Sequence, residues 1–225
     1  GVLHKPLPFD DASRVMTLWQ RNPKRHVDRD NVAPGTFLDW RERSRSFSRL
    51  AAAEPYSLSL DTPDGPEMIR NWNVTEGFFE ALGVRAYLGR TFEPADFVPG
   101  RERVVVFSYE GWRRRFGGDP SAIGRRLQLE RMPATIVGVL PPNVSVPDGR
   151  EMWAPKVFAD YERQERGSAY YQVIGRLAPA VTREQANDEM KRISAQLAAE
   201  YPRTNADIGV NVLPIEEFLV APVRP

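Results

Sequence analysis

Apolar residues recur at two spacings along the chain, and each spacing predicts a type of secondary structure. Helical spacing predicts a short helix over 75–84, which Gly83 ends, and a helix over 35–50 with an apolar stripe of Phe37, Trp40, Phe47 and Leu50. Apolar or alternating runs predict strands over 14–20, 56–60, 67–74, 103–109, 124–130, 134–140, 170–177 and 208–214. Helices and strands are therefore both expected.

The longest predicted helix covers residues 182–201. It begins at a capping box of Thr182 with Gln185 and ends before Pro202. Its apolar stripe consists of Ala186, Met190, Ile193, Leu197 and Tyr201. We expect Met190, Ile193 and Leu197 to be buried against a sheet that contains both strand 170–177 and strand 14–20.

The order of these elements predicts an α+β fold. A strand–helix–strand pattern occurs near 14–60 and again near 170–214. Each favours a right-handed crossover that places its two strands side by side in one sheet. The segment between them is rich in strands and lacks this pattern, and the charged stretch 159–169 is predicted to be an exposed connector. The simplest arrangement is one domain built from both ends of the chain with a smaller β-rich domain inserted.

Composition excludes several classes of function. Lys+Arg is 31 and Asp+Glu is 30, so the chain lacks the basic excess of a nucleic-acid-binding domain. Cysteine is absent, which excludes disulfides, thiolate catalysis and cysteine-ligated zinc. No run approaches the roughly 20 apolar residues of a membrane span. Because the chain opens on Gly1 and stops at "VAPVRP", we interpret it as a fragment whose flanks could include membrane helices.

The stretch "YEGWRRRFGG" at 109–118 could be a phosphate site or the end of a helix. At helical spacing Tyr109, Trp112 and Phe116 share one face, and Gly117 stands where a C-cap glycine belongs. Asp119-Pro120 can begin the next turn. A P-loop would need glycine followed by lysine and serine or threonine, whereas "GRR" stands at 124–126. The capped helix is therefore the favoured interpretation, and no nucleotide is expected here.

Other residue types with catalytic potential form no recognisable constellation. His4 and His26 show no metal-site spacing, and Ser108 in "FSYEG" lacks the G-x-S-x-G motif of a hydrolase. Carboxylate pairs such as Glu93/Asp96 and Glu216/Glu217 are expected by chance among thirty acidic residues. We therefore predict no catalytic, cofactor-binding or metal-ligating residue, no cofactor, and no enzymatic activity.

Several segments in order resemble the MacB-like periplasmic core domain, especially that of the duplicated permeases related to MacB and FtsX. The segments are "LHKPLPFDD" (3–11), "FLDWRERSRSF" (37–47), "FFEALGVRAYLGRTF" (78–92), "VVVFSYEGWRRRFGGDPSAIGRRLQL" (104–129), "TIVGVLPP" (135–142), "VIGRLAPAVTREQANDEM" (173–190) and "VLPIEEFLV" (212–220). The resemblance covers nearly the whole chain.

The resemblance implies a discontinuous porter-like subdomain of two β-α-β halves and an inserted β-rich subdomain called Sabre. We expect the first over 1–89 and 167–225 and the second over 90–166. It also implies a periplasmic position between two membrane helices of an ABC transporter permease in the inner membrane. Its partners would be those helices and an ATP-binding subunit or domain in the cytoplasm. A second permease copy and a periplasmic protein are further candidate partners. Nucleic acid is not expected to be a partner.

The leading hypothesis is a non-enzymatic extracytoplasmic module that transmits movement or guides export. The alternatives are a module that binds a peptide, lipid or small molecule in an apolar pocket, and a carboxylate-based hydrolase. A cleft with close carboxylates would favour the hydrolase. An apolar cleft without them would favour the ligand-binding module, and a filled core without a cleft would favour the transmission module. If the chain is a loop between membrane helices, "GVLHKPLPF" and "LVAPVRP" should lie on one side, with residues 90–166 projecting away.

Overall fold

The computed structural model describes residues 7–144 and 150–219. The chain divides into two compact units, each assembled from two stretches of sequence. The terminal unit comprises Ser13–Ala53 and Phe158–Pro225, and the central unit comprises Gly1–Ala12 and Glu54–Val157. Each unit has its own cluster of buried apolar side chains.

The regular elements of the described residues are as follows in chain order. The strands are β1 (Val15–Asn22), β2 (Val27–Asp30), β3 (Phe47–Pro55), β4 (Leu58–Thr62), β5 (Gly65–Ile69), β6 (Asn71–Val74), β7 (Leu88–Gly89), β8 (Arg103–Phe107), β9 (Arg126–Leu129), β10 (Met132–Val139), β11 (Met152–Pro155), β12 (Gln172–Leu177) and β13 (Gly209–Pro214). The helices are α1 (Pro34–Arg43), α2 (Phe78–Leu82), α3 (Tyr109–Phe116), α4 (Arg183–Glu200), α5 (Pro202–Asn205) and α6 (Ile215–Leu219).

The terminal unit is a split β-α-β fold in which the two halves of the chain interlock. Its sheet has the strand order β13-β1-β12-β3, and β1 is antiparallel to both β12 and β13. β12 is also antiparallel to β3. The two crossovers are β1-α1-β3 and β12-α4-β13, which gives the ferredoxin-like β-α-β-β-α-β topology. The short strand β2 pairs with the end of β1.

This strand order corrects the expectation that each crossover joins neighbouring strands. β12 lies between β1 and β3, and β1 lies between β12 and β13. The physical reason is that a helix is about 10 Å wide, whereas neighbouring strands of a sheet are only about 4.8 Å apart. One crossover helix therefore covers two strand spacings, and the gap below it is filled by a strand of the other half.

The predicted packing of α4 is confirmed. Thr182 and Gln185 form the capping box, with the Gln185 N–H 3.1 Å from Thr182 Oγ1. The helix buries Ala186, Met190, Ile193 and Leu197 in one cluster with residues of β1 and β12. Tyr201 is half-buried at the C-cap, and Pro202 starts the one-turn helix α5.

Helix α1 is shorter than the sequence predicts. It ends at Arg43, and Phe47 and Leu50 belong to β3 instead of to a helical stripe. The backbone N–H groups of Arg45 and Ser46 donate hydrogen bonds to Glu189 Oε1 on α4, at 2.8 and 3.0 Å. A side chain far away in sequence therefore binds the backbone where the helix would have continued.

The central unit contains a mixed sheet with the strand order β6-β11-β8-β10-β9-β4-β5, and β7 pairs with β10. The pairs β6/β11 and β8/β10 are parallel, and the hairpins β4/β5 and β9/β10 are antiparallel. The predicted strand over 67–74 is broken at Arg70 into β5 and β6, which lie in different parts of the sheet. Trp112 of α3 is buried with Val105 and Phe107 of β8 in this unit's core.

The observed units have different boundaries from the predicted subdomains. Residues 54–89 belong to the central unit, and 158–166 belong to the terminal unit. Residues 1–6 and 220–225 lie outside the described residues, so the expectation that both ends of the chain lie on one side also lies outside them. Within residues 7–144 and 150–219, no helix is long and apolar enough to cross a membrane.

Candidate functional site

The arginine-rich stretch forms a helix with defined caps at both ends. Ser108 is the N-cap of α3, and its Oγ accepts a hydrogen bond from the Gly111 N–H at 2.9 Å. Gly117 is the C-cap in the left-handed conformation, with φ of 62°. Asp119 caps the next turn, which begins at Pro120. The capped-helix prediction is confirmed, and Ser108 has a structural partner.

The arginines near the end of α3 contact acidic side chains. Arg114 and Arg115 both pair with Glu151, and the Arg115 Nη2 to Glu151 Oε2 distance is 2.8 Å. Arg115 also pairs with Glu67 of β5. Arg113 lies against Gly118, where an added Cβ would meet its guanidinium. Arg114 and Arg115 thus join α3 to β5 and to the residue before β11.

The candidate carboxylate pairs also have structural partners. Asp96 accepts the Glu93 N–H at 2.9 Å and pairs with Arg90 at 2.7 Å, and the hydrogen bond to Asp96 raises the pKa of Arg90. In the second pair, Glu217 lies 3.3 Å from Arg29.

The histidines and other potential metal ligands form no site among the described residues. His26 caps a 3-10 turn with a φ of 55°, and His4 lies outside the described residues. In the described part of the chain, no group of three or more His, Cys, Asp or Glu side chains is arranged to hold a metal ion.

The segment predicted to be an exposed connector carries a buried carboxylate instead. Glu162 is only 1% exposed. Its Oε1 accepts hydrogen bonds from the hydroxyls of Tyr170 and Tyr171 at 2.8 and 3.3 Å, and its Oε2 accepts the Ala159 N–H at 2.9 Å. Hydrogen bonding at these oxygens offsets the cost of removing the carboxylate from water. Apolar residues in this segment follow neither a helical nor an alternating spacing, so the sequence did not indicate that Glu162 is buried.

A second buried contact joins the same segment to α1. Arg166 pairs with Asp39 at 2.8 Å, and the two side chains are 10% and 12% exposed. The Arg166 guanidinium also lies over the Tyr201 ring, 3.7 Å from its centroid. Nearby, the Gly35 N–H donates to the Glu165 carbonyl at 2.7 Å, and a Cβ at Gly35 would lie only 2.9 Å from that oxygen. Glycine is therefore needed for the close approach of this segment to α1.

The central unit contains a comparable buried pair, Lys156 with Glu54, at 2.9 Å. Their side chains are 11% and 16% exposed. The buried ion pairs of both units thus join segments that are distant in sequence. Such an arrangement holds backbone segments in place, because removing one partner would leave the other charge buried.

Glu200 is expected to titrate at an abnormally low pH. The Arg43 guanidinium donates two hydrogen bonds of 2.8 Å to its carboxylate, which lowers the pKa of Glu200 from its ordinary value of 4.5. Because the folded-state pKa is depressed, the pair stabilises the fold fully above the unfolded pKa, and this contribution is lost as pH falls through the folded pKa. Carbon-detected NMR titration of the Glu200 carboxylate measures its pKa in the folded protein. Arg43→Gln should return the pKa of Glu200 towards 4.5, and an unchanged pKa would contradict the assignment.

We expect the 225-residue chain to bind neither ATP nor DNA measurably at physiological salt. Its positive and negative charges are nearly balanced, and the glycine at the end of α3 caps a helix. Calorimetric titration with each ligand is the measurement. Micromolar ATP binding that is lost on replacing Arg113, Arg114 and Arg115 by alanine, and retained when the exposed Arg183 is replaced, would show that these arginines hold phosphate.

Comparison with solved structures shows that the fold is known. A domain described as that of a permease protein from Porphyromonas gingivalis matches with a TM-score of 0.68 and 16% identity, over 93% of this chain and 92% of that chain. The extracellular domain of the noncanonical ABC-type transporter YknZ from Gram-positive bacteria matches with a TM-score of 0.60 and 16% identity, over 88% and 99%. The periplasmic region of MacB from Actinobacillus actinomycetemcomitans matches with a TM-score of 0.62 and 13% identity, over 95% of each chain.

Sequence comparison identifies the family. No match was found among curated protein sequences. The family model of the MacB-like periplasmic core domain matches residues 6–193, which is most of the chain. This match includes residues of both compact units and all or part of each segment that carries the resemblance, except for 212–220, which lies beyond it. The chain therefore belongs to the family of MacB-like periplasmic core domains, which are extracytoplasmic domains of ABC-type permeases.

Proposed function

We propose that this domain is a non-enzymatic module that transmits movement within an export permease. ATP hydrolysis by a cytoplasmic subunit or domain would move the membrane helices of the permease, and this domain would carry the movement outside the membrane. We assign the porter-like role to the terminal unit and the Sabre-like role to the inserted part of the central unit. A second permease copy or a periplasmic protein would receive the movement.

The interlocked sheet of the terminal unit is the observation that carries this proposal. β1 comes from the first half of the chain and pairs with β12 and β13 from the second half. β12 in turn pairs with β3 from the first half. Displacing either half alone would break backbone hydrogen bonds on both sides of a strand. A force applied to one half should therefore move the whole unit, as rigid-body transmission requires.

Buried contacts between the two halves support the same stiffness. Arg166 and Asp39 join the segment before β12 to α1, and the Glu189 carboxylate on α4 binds the backbone that follows α1. Phe37 and Trp40 of α1 are fully buried in one cluster with Met190 of α4. Close-packed interiors of this kind transmit displacement with little compression.

The contacts of the acidic side chains favour a non-enzymatic role. Asp39, Glu54 and Glu151 each pair with a basic side chain at 2.8 or 2.9 Å. Glu162 accepts hydrogen bonds from two tyrosine hydroxyls and one backbone N–H. A general acid or base needs a proton-exchanging oxygen that can reach a substrate. These carboxylates are instead engaged in contacts that hold the fold together.

Distance measurements between spin labels in the complete permease test this proposal. The domain contains no cysteine, so single cysteines can be introduced at exposed Ser48 on β3 and exposed Arg192 on α4. The Ser48–Arg192 distance lies within the terminal unit and should not change between the nucleotide-free and ATP-bound states. The distance from Arg192 to a label in a membrane helix should change.

An ATPase-inactive variant, trapped in one nucleotide state, serves as the control, and its distance from Arg192 to the membrane label should not change. A change in the Ser48–Arg192 distance would mean that the unit deforms instead of moving as a body. A constant distance from Arg192 to the membrane label in every nucleotide state would mean that the domain does not follow the ATPase. Either outcome would overturn the proposal.

A further inference from the structure

The short helix α6 follows β13 directly and is held against the terminal unit by side-chain contacts. β13 ends at Pro214 and α6 begins at Ile215, so no loop separates the strand from the helix. Ile215 is completely buried. Isolated helices shorter than about 12 residues are unstable in water, because nucleating the first turn costs more than a few hydrogen bonds return. A five-residue helix such as α6 therefore depends on its contacts with the rest of the unit.

An aromatic contact joins α6 to β1. Phe218 packs on Trp19, with the two ring centroids 5.6 Å apart and the ring planes inclined by 42°. Both side chains are half-buried. The Trp19 ring is itself held in place, because its indole N–H donates a hydrogen bond of 2.9 Å to Thr17 Oγ1. Thr17 Oγ1 in turn donates to the Leu213 carbonyl on β13 at 3.5 Å. Phe218 thus contacts a ring whose orientation the sheet fixes.

An ion pair joins α6 to β2. Arg29 Nη2 lies 3.3 Å from Glu217 Oε2, and the two side chains are 43% and 50% exposed. Such an exposed pair is weak by itself, so it supplements the aromatic contact. β1 and β2 come from the first half of the chain, whereas the covalent link of α6 is to β13 in the second half. Helix α6 therefore connects the two halves of the terminal unit.

The two ends of the sequence belong to different units. The residues before Ser13 belong to the central unit, whereas the residues after β13 belong to the terminal unit. A displacement that reaches the terminal unit along the chain from its C-terminal side therefore passes through α6 before it reaches the sheet. When α6 is docked, the displacement acts on β1 and β2 as well as on β13. When α6 is undocked, it acts only on the end of β13.

We propose that docked α6 is the element that couples the terminal unit to movement arriving from the C-terminal side, and that Phe218 positions it on Trp19. This inference rests on the proposed function, because it concerns how movement of a membrane helix reaches the sheet. With the aromatic contact in place, α6 and the sheet move together. Without it, α6 shifts relative to β1 and the displacement is absorbed in the connection.

NMR spectroscopy of the 225-residue chain tests whether Phe218 holds this position. In a nitrogen–proton spectrum, Phe218→Ala should shift the indole N–H signal of Trp19, because the magnetic effect of the neighbouring ring is lost. Trp19→Phe identifies that signal among those of the five tryptophans. The matched control is Glu216→Gln at the exposed position two residues earlier, which should leave the signal in place. An unchanged indole signal in Phe218→Ala would overturn the proposal.

Spin-label distances in the complete permease test the coupling itself. In the unaltered permease, the distance from Arg192 to a label in a membrane helix is expected to change between nucleotide states. Phe218→Ala should abolish most of that change and leave the Ser48–Arg192 distance as it was, since the sheet itself is intact. Glu216→Gln should keep the full change.

The outcomes separate this inference from the proposed function. A full change in Phe218→Ala would overturn the coupling role of α6 and leave the proposed function standing, whereas no change in the unaltered permease would overturn both. Thermal unfolding establishes that each variant is folded. A second test does not alter the aromatic ring: Glu217→Arg places two positive charges together and should also reduce the change. Adding Arg29→Glu restores an opposite-charge pair and should recover the change, and a failure to recover it would contradict the docking of α6 on β2.

Discussion

Met190→Asp is expected to lower the free energy of unfolding by about 4 kcal/mol or more. Met190 is fully buried in the terminal unit among the apolar side chains of α1, α4, β1 and β12. An aspartate there would remain charged without a partner or bind a proton at the expense of stability, and it would also leave a cavity. Urea unfolding followed by circular dichroism gives the change directly.

Two further variants calibrate this result. Met190→Leu keeps the site apolar and close in volume, so it should cost less than about 1.5 kcal/mol. Asp188→Ala, at an exposed position on the same helix, should stay within about 0.5 kcal/mol of the unaltered chain. If Met190→Asp were as mild as Asp188→Ala, α4 could not be packed on the sheet through this face.

Asp39→Asn should destabilise the protein by about 3–5 kcal/mol, because it leaves the buried Arg166 charge without its partner. The pair holds the segment before β12 against α1, and the Arg166 guanidinium lies over Tyr201. Urea unfolding again measures the loss. Limited proteolysis should also show faster cleavage within residues 159–169, since the contact that fixes this segment is weakened.

The matched control is Glu217→Gln, which removes the acidic partner of an ion pair whose side chains are 43% and 50% exposed. Its cost should not exceed about 1 kcal/mol. The double variant Asp39→Asn/Arg166→Met should recover part of the stability lost in Asp39→Asn, because the unpaired buried charge is gone. Equal effects of Asp39→Asn and Glu217→Gln would show that the segment is not buried against α1.

The sequence alone predicted the elements whose signals are local. The capping box at Thr182 and the apolar stripe of α4 both depend on residues three or four positions apart, so they can be recognised without the rest of the fold. Gly117 likewise marks the end of α3 within a single stretch, whereas the N-cap role of Ser108 was not predicted. The family resemblance was also available from the sequence, because whole segments carry it in order.

The candidate site was much less predictable. Glu162 and Arg166 lie in a charged stretch without periodicity, and their burial depends on Tyr170, Tyr171 and Asp39. None of these groups has a spacing that a sequence pattern could reveal.

The sequence by itself determined the capping box and the buried face of α4 and the glycine that ends α3, because short-range hydrogen bonding and hydrophobic periodicity specify them. Only the tertiary structure decided that β1 lies between β12 and β13 and that α1 ends at Arg43. Strand order follows from how a helix about 10 Å wide spans two strand spacings, and the end of α1 follows from a bond to Glu189. Both depend on residues that the chain brings together only when it folds.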